Sequence, residues 1–482
     1  LPVRGTDDSF LTKLRGSQGI FGRARPSSPP WRGPWLAALV LLSLAVPAPL
    51  AAQTLTEALS AAYLYSPALR SARRGLDIVN EKRPQALSAW APTVTLNGVG
   101  GYANTNIPTQ AYRENNIGAT GNFTLPITRG GGEYAGLRQA EHLIRAQRAL
   151  LLASEQVVLG QAAQAYMDVV LAQAVVGFRA ENLAALRRVL ILIQRQMAVG
   201  DRTAVDAALA ESRVANAEAQ LAQARGQLEV SLATYRQAIG RAPVKLVMPQ
   251  PLAILPPNLD EAVRAAEAGN PEVVAASYQL LAAQSDVEVQ TAQLLPSLSI
   301  EATQFNSSQR IRGYRYQPSG NVSGTTIELV VTVPLYQGGS EYAAVRIAKK
   351  TALQRADDLA VARVNAVAAA TTAWRQREAA EATRRGFAGA VNANEKLNAL
   401  NQRLTEAGQS TILEVLTALQ DLVDAQVNRA NAERDRIVAG FSVLISLGGL
   451  TARSLALPVP YYDPVGDYRQ TRWRFWGLSV GP

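Results

Sequence analysis

The strongest constraint on this chain is that it repeats itself. "LPITRGGGEYA", Leu125 to Ala135, returns as "VPLYQGGSEYA", Val333 to Ala343. Pro334 follows Pro126 at an offset of 208 residues, and the offset holds downstream. Ala165-Tyr166 is answered by Ala373-Trp374, Gly200 by Gly408, Asp206 by Glu414 and Gly240 by Gly448. Upstream the offset is 204: Leu55-Thr56-Glu57-Ala58 is answered by Leu259-Asp260-Glu261-Ala262, Ser66-Pro67 by Asn270-Pro271, and Ala91-Pro92 by Leu295-Pro296. The surplus of the second half therefore lies between Pro296 and Pro334. A period this long is not that of a solenoid unit. The chain divides into a first repeat, 53–257, a second repeat, 258–450, and a tail, 451–482.

Each half reads as short helix, second helix, strand, loop, strand, long helix, returning helix. Thr54-x-x-Glu57 and Asn258-x-x-Glu261 are capping signals. Ser66-Pro67 and Asn270-Pro271 pair an N-cap with a proline at the first helical position. In "TTIELVVTV", Ile327, Leu329, Val331 and Val333 share one face and Thr326, Glu328, Val330 and Thr332 the other. Strands are expected at about 93–102, 117–125, 297–305 and 325–333, with polar loops at about 103–115 and 307–323. Strands of about 10 residues can span a bilayer when tilted.

No proline interrupts Ile127 to Ala242, or Leu335 to Leu457, and both stretches are rich in Ala, Gln, Glu, Arg and Leu. Long helices are expected at about 132–199 and 340–407, each roughly 100 Å long at 1.5 Å per residue. Gly200 and Gly408 break them, and Thr203 and Thr411 cap the returning helices at about 204–239 and 411–447. The class is mainly α with a small β part. The glycine phrase has two readings. A phosphate loop needs Lys and Ser or Thr after its last glycine, whereas Glu133-Tyr134 and Ser340-Glu341-Tyr342 stand there, and an acid repels phosphate. The phrase is instead a strand-to-helix junction, with Pro92, Pro126, Pro296 and Pro334 as its punctuation and the glutamate suiting the positive helix start.

"WLAALVLLSLAVPAPLAA", Trp35 to Ala52, reads as a secretory signal, with residues 1 to about 30 an over-extended start. Of the formal net charge of +10, residues 1–52 carry +4 (six basic, two acidic); the remaining +6 is spread over long mixed-charge helices, a solvated surface rather than a nucleic-acid patch. There is no cysteine, hence no disulfide framework and no thiol for a lipid anchor. The single histidine, His142, lies in a polar helical stretch, whereas a metal site needs several ligands. Asp357-Asp358 are solvated helix charges. Without a triad, metal cluster or phosphate loop, no enzyme, cofactor or metal function is expected.

Four strands cannot close a barrel, and open edges cannot sit in lipid. Several copies are therefore expected to share one barrel. No apolar run in the helices is expected to be long enough for lipid, so they should project as a coiled tube. The rival is a soluble periplasmic coiled-coil tether with a small β domain. Here the chain resembles the TolC-like outer-membrane efflux and secretion channel family, from about Leu55 to Pro482. The resemblance rests on the ordered, duplicated set "TLTEAL", "SPAL"/"NPEV", "WAPTVTL"/"LLPSLSI", "LPITRGGG"/"VPLYQGG", "AQAYMDV", "AVGDRTAVDAALAESRVANAEAQLAQA" and "AIGRAP". The ending "YYDPVGDYRQTRWRFWGLS" resembles the subgroup serving type I secretion.

The resemblance implies a homotrimer, a 12-stranded barrel in outer-membrane lipid, a helical barrel in the periplasm, a periplasmic adaptor and an inner-membrane ABC or proton-driven transporter. It also implies a gate at the tips, for which Gly200, Arg202, Asp206, Gly408, Glu414 and Thr417 stand at the matching positions. The family often carries an Arg after the second tip glycine and an acid one turn past the position of Glu414; Ser410 and Thr417 stand there instead. Thr203-x-x-Asp206 and Thr411-x-x-Glu414 read equally as helix caps. Trp90, Tyr102, Phe123 and Phe305 are candidates for interfacial belts, with core or neighbour packing as the equal alternative. No packing site for Trp473, Phe475 and Trp476 follows from the sequence.

Overall fold

A computed structural model describes residues 53–108, 110–250, 254–313, 320–406 and 411–479. The apolar leader and Gly408 lie outside the described residues. In the first half, α1 (Leu55–Tyr65), α2 (Pro67–Asn80) and α3 (Lys82–Leu87) lead through a 3-10 turn to β1 (Thr93–Ile107) and β2 (Gln110–Arg129). These are followed by α4 (Gly132–Ala198) and α5 (Ala204–Ile239). The second half repeats the order with α6 (Leu259–Gly269), α7 (Pro271–Ala292), β3 (Ser297–Arg312), β4 (Gly320–Thr332), α8 (Ser340–Glu406) and α9 (Ile412–Ser446). The tail holds α10 (Gly466–Thr471). The caps form as the sequence requires: the Thr54 hydroxyl accepts from Glu57 N–H at 3.3 Å, and Ser66 caps α2 with Pro67 in its first turn.

α4 and α8 are each 67 residues, about 100 Å. The returning helices have 36 and 35 residues and cover only half of them. α7 packs along the strand-proximal part of α4, joined by the Arg138–Glu288 ion pair and by Gln139 donating to Asp286, and it also packs against α8. The main core lies midway, where Leu59, Leu69, Leu159, Met167, Tyr235, Phe441 and Leu450 are buried together. Tyr166 explains its place in the repeated phrase. Its hydroxyl stands 2.6 Å from Val247 O and 2.8 Å from Gln53 O and accepts from Val247 N–H at 3.0 Å, pinning the start of the first repeat to the linker between the repeats. Its counterpart Trp374 is buried with Ala262 and Val443, its indole N–H on Glu378 at 2.9 Å.

The four strands form one antiparallel sheet in the order β1-β2-β3-β4, so β2–β3 pairing fuses the two hairpins. Three expectations are corrected. The strands have 15, 20, 16 and 13 residues rather than about 10. Most of the expected loop residues 103–115 and 307–323 continue the ladder, with Tyr102 opposite Asn115 and Ile107 opposite Gln110. Asn, Gly and Thr are poor strand formers by local preference, but cross-strand pairing overrides that preference. Second, Pro126 does not end β2. It sits three residues before the end, where the register with β3 shifts between Pro126 and Thr128 and where β1, pairing only as far as Thr124, no longer needs a donor. Third, α4 does contain a stretch long and apolar enough to cross a membrane by length and composition, with mean hydropathy 1.4. Only a minority of that stretch is buried within the chain, whereas the part of α4 just before it is core: Leu159, Tyr166 and Met167 are buried among α1 and α9, and Asp168 holds Arg434 of α9 at 2.7 Å.

Candidate functional site

The sheet has two unlike faces. On one, Val94, Leu96, Phe123, Leu125, Ile300, Ile327, Leu329 and Val331 align through the register. Leu329 is 66% exposed and Leu96 80%, an apolar stripe that none of the described residues covers. The other face carries Thr95, Asn97, Thr120, Asn122, Glu301, Thr303, Thr326 and Glu328. Thr303 donates to Asn122 at 3.3 Å and Ser307 to Asn116 at 3.0 Å across the β2–β3 seam. Glu301 and Glu328 stand directly opposite each other, a pairing that costs stability unless water solvates both. The apolar face thus suits lipid and the polar face water. Phe305 is a correction to the belt expectation: it lies on the polar face opposite Thr120 and covers Gly324, whose Cβ would stand 2.7 Å from its ring. Trp90 meets Tyr134 edge to face at 5.2 Å where the strands reach the helices.

The junctions are built alike. Pro92 and Pro296 stand between the short helices and β1 or β3, so they mark helix-to-strand turns rather than strand-to-helix ones. Proline prevents its predecessor from continuing a helix. Pro334 follows β4, and Gly338 and Gly339 then turn the chain at φ of 76° and 85°, as Gly130 and Gly131 do at 65° and 81°. The Glu133 carboxylate accepts from Arg129 N–H at 3.1 Å, closing the first junction on itself rather than on an anion.

At the tip, Gly200 adopts φ 87°, and Asp201 N–H donates to Gln196 O at 2.9 Å. Arg202 Nε donates to Gln196 Oε1 at 3.3 Å. Thr203 caps α5: its hydroxyl accepts from Asp206 N–H at 3.2 Å while the Asp206 carboxylate accepts from Thr203 N–H at 3.1 Å and from its hydroxyl at 2.8 Å. Those donors hold the Asp206 carboxyl below the usual carboxylate range. The cap's contribution is thus present above the unfolded pKa and fades as pH falls through the depressed folded one. Glu414 caps α9 in the same way through Thr411 at 3.3 Å and 3.1 Å. Both acids are therefore caps. The structure also brings the two helix starts together, because Ala207 and Ala210 share a buried cluster with Ile412, Val415, Leu416 and Leu183. Thr417 is exposed one turn past Ile412.

Residues that local pattern did not single out tie the two repeats together. Arg179 on α4 reaches Asp424 on α9 at 3.2 Å. The tail returns along α2 and α4. Glu155 accepts from Ala452 N–H at 2.7 Å, and burial pushes its carboxyl above the ordinary range. Tyr462 N–H donates to Tyr63, Asn80 donates to Asp467 at 2.9 Å, and Tyr468 donates to Glu141 at 2.6 Å. Their separations of more than 300 residues leave no periodic signal.

The model of the outer membrane efflux protein family matches residues 58–241 and 262–449, one match per repeat. Among relatives, the outer membrane efflux protein BepC of Brucella suis is 32% identical over 92% of this chain and 96% of its own length. The outer membrane protein TolC of Vibrio cholerae is 25% identical over 84% and 92%. The alkaline protease secretion protein AprF of Pseudomonas aeruginosa is 24% identical over 63% of each. The crystal structure of the Campylobacter jejuni CmeC outer membrane channel superposes with a TM-score of 0.73 at 16% identity, covering 87% of this chain and 89% of that one, which establishes the shared fold. The two matched repeats, the two-faced sheet and the paired helical hairpins agree: this chain belongs to the outer membrane efflux protein family, the TolC-like exit ducts of the bacterial outer membrane.

Proposed function

We propose that three copies of this chain form one duct, each giving four strands to a 12-stranded barrel and two helical hairpins to a tube in the periplasm. The observation that carries this is the sheet itself: among the described residues, β1 and β4 each have an unpaired side, and the apolar face is bare. Lipid tolerates neither a free edge nor an isolated four-stranded sheet. Copies that pair β4 with a neighbouring β1 remove both faults. α8 supports the same reading, since Ile347, Leu353, Val361 and Val364 are all more than half exposed along a helix that a neighbouring copy would cover. Native mass spectrometry in detergent should find a trimer; a stable detergent-free monomer would overturn the assembly.

The duct is passive, and cargo reaches it through a periplasmic adaptor from an inner-membrane ABC or proton-driven transporter. The cargo reading is polypeptide export of the type I kind. It is supported by the aromatic tail and by the relative named for alkaline protease secretion. Drug or metal efflux is the alternative, and secretion assays with the neighbouring transporter genes deleted separate the two.

At the tip, three Asp206 and three Glu414 would surround one opening, drawing in cations and setting closure. The double variant Asp206→Asn with Glu414→Gln keeps much of the capping hydrogen bonding and removes the charge. Altered cation selectivity or a higher leak in planar bilayers is expected, with unfolding temperature little changed. Unchanged conductance with a loss of about 1 kcal/mol would leave the two acids as caps alone.

A further inference from the structure

The last described residues, Arg472 to Ser479, follow α10 and read "RWRFWGLS", with two arginines, 472 and 474, and no acid. Their course is fixed by a largely buried arginine. Arg83 on α3, its side chain 11% exposed, pairs with Glu141 at 2.6 Å, donates to Arg472 O at 2.5 Å and lies 4.6 Å over the Trp473 ring. Arg148 stacks on Tyr468 at 4.9 Å just before it. The tail is therefore led up α2 and α3, away from the tip. Its end lies in a cleft where Arg474 and Phe475 meet Lys82, Gln85 and Ser88. Gln85 and Ser88 also line the neighbouring cleft at the feet of the strands, with Thr93, Arg129, Ser297 and Thr332. Yet the aromatic side chains delivered there are not covered: Trp476 is 90% exposed, and Leu478 and Trp473 are exposed beside it.

We propose that this segment is a membrane-surface anchor, seating Trp473, Phe475, Trp476 and Leu478 at the headgroup boundary and Arg472 and Arg474 on anionic phospholipid. The inference rests on the reading that the sheet spans the membrane. The apolar stripe of the sheet begins at Val94 and Leu96, a few residues beyond the cleft. The tail thus lies near the feet of the strands, where the lipid-facing surface begins and where tryptophan and arginine are favoured. Positive charge on the segment matches an anionic leaflet. Its function is to fix the height and tilt of the duct from outside the barrel.

The chain has no cysteine, so Leu478→Cys gives the full-length protein a unique nitroxide site. In vesicles of phosphatidylethanolamine with phosphatidylglycerol, the label should collide several-fold more with oxygen than with a water-soluble nickel chelate. Adding Phe475→Ser and Trp476→Ser should reverse the preference, and neutral vesicles should weaken it. A label that prefers nickel, or one shielded from both reagents as by a neighbouring copy, overturns the anchor. So does a preference that the serine pair leaves unmoved; one unchanged in neutral vesicles removes the arginine–headgroup half of the proposal. A parallel label at Leu329→Cys reports the barrel. Leu329 in lipid with Leu478 in water sinks the anchor alone, whereas Leu329 in water sinks the spanning sheet beneath it.

Discussion

Arginine in place of Leu329 should stop the duct from assembling in the outer membrane. Leu329 is 66% exposed towards the C-terminal end of β4, opposite Ile300, on the face that carries Leu96 and Val331. Placing a guanidinium on the lipid face costs up to about 2–4 kcal/mol per chain, the midplane value, and less towards the interface, and each trimer holds three. Among the described residues the cross-strand neighbour is apolar, and Glu301 and Glu328, the carboxylates beside it in sequence on β3 and β4, lie on the other face. Val331→Arg should behave alike. Thr326→Arg lies on the polar face with Glu328 and should assemble. Heat-modifiable trimer in purified outer membranes is the readout. Equal trimer yields from Leu329→Arg and Thr326→Arg would show that the faces are reversed or that the sheet does not meet lipid.

Gly448→Ala should be among the most damaging single changes in the helical part. The residue follows α9 at φ 78°, and an added Cβ would stand 2.1 Å from the Gly269 carbonyl oxygen and 3.1 Å from Pro271. A backbone carbonyl cannot swing aside as a side chain can, so the end of α9 must part from the α6–α7 turn. That turn is also held by Asn270 donating to Ser446 O at 3.0 Å. Left-handed strain and the forced separation together should cost about 3 kcal/mol or more. Gly131→Ala is the control. Its φ is 81°, but open space surrounds it, so strain alone applies, about 1–2 kcal/mol. Unfolding temperatures in detergent should fall in that order. Equal losses for the two variants would mean that backbone conformation, not the close approach, fixes glycine at 448.

The duplication, the helix starts and the alternation of β4 were legible in the sequence because each depends on neighbours a few residues away. Thr54, Ser66, Thr203 and Thr411 cap helices through their own first turns, and period-two alternation is a property of a single strand. The repeat offset carried the architecture of one half onto the other, including two 67-residue helices and the left-handed glycine at 200. Tertiary structure alone decided the rest. The strands ran on through Asn104 and Asn115, since a ladder rewards pairing that local preference disfavours. Pro126 stayed inside its strand because β1 ends before it. α4 was fastened to α9 where Asp168 found Arg434, far away in the chain. The tail found Arg83 and Glu141 across the whole length of the protein, a choice set by shape and charge in three dimensions that no local pattern encodes.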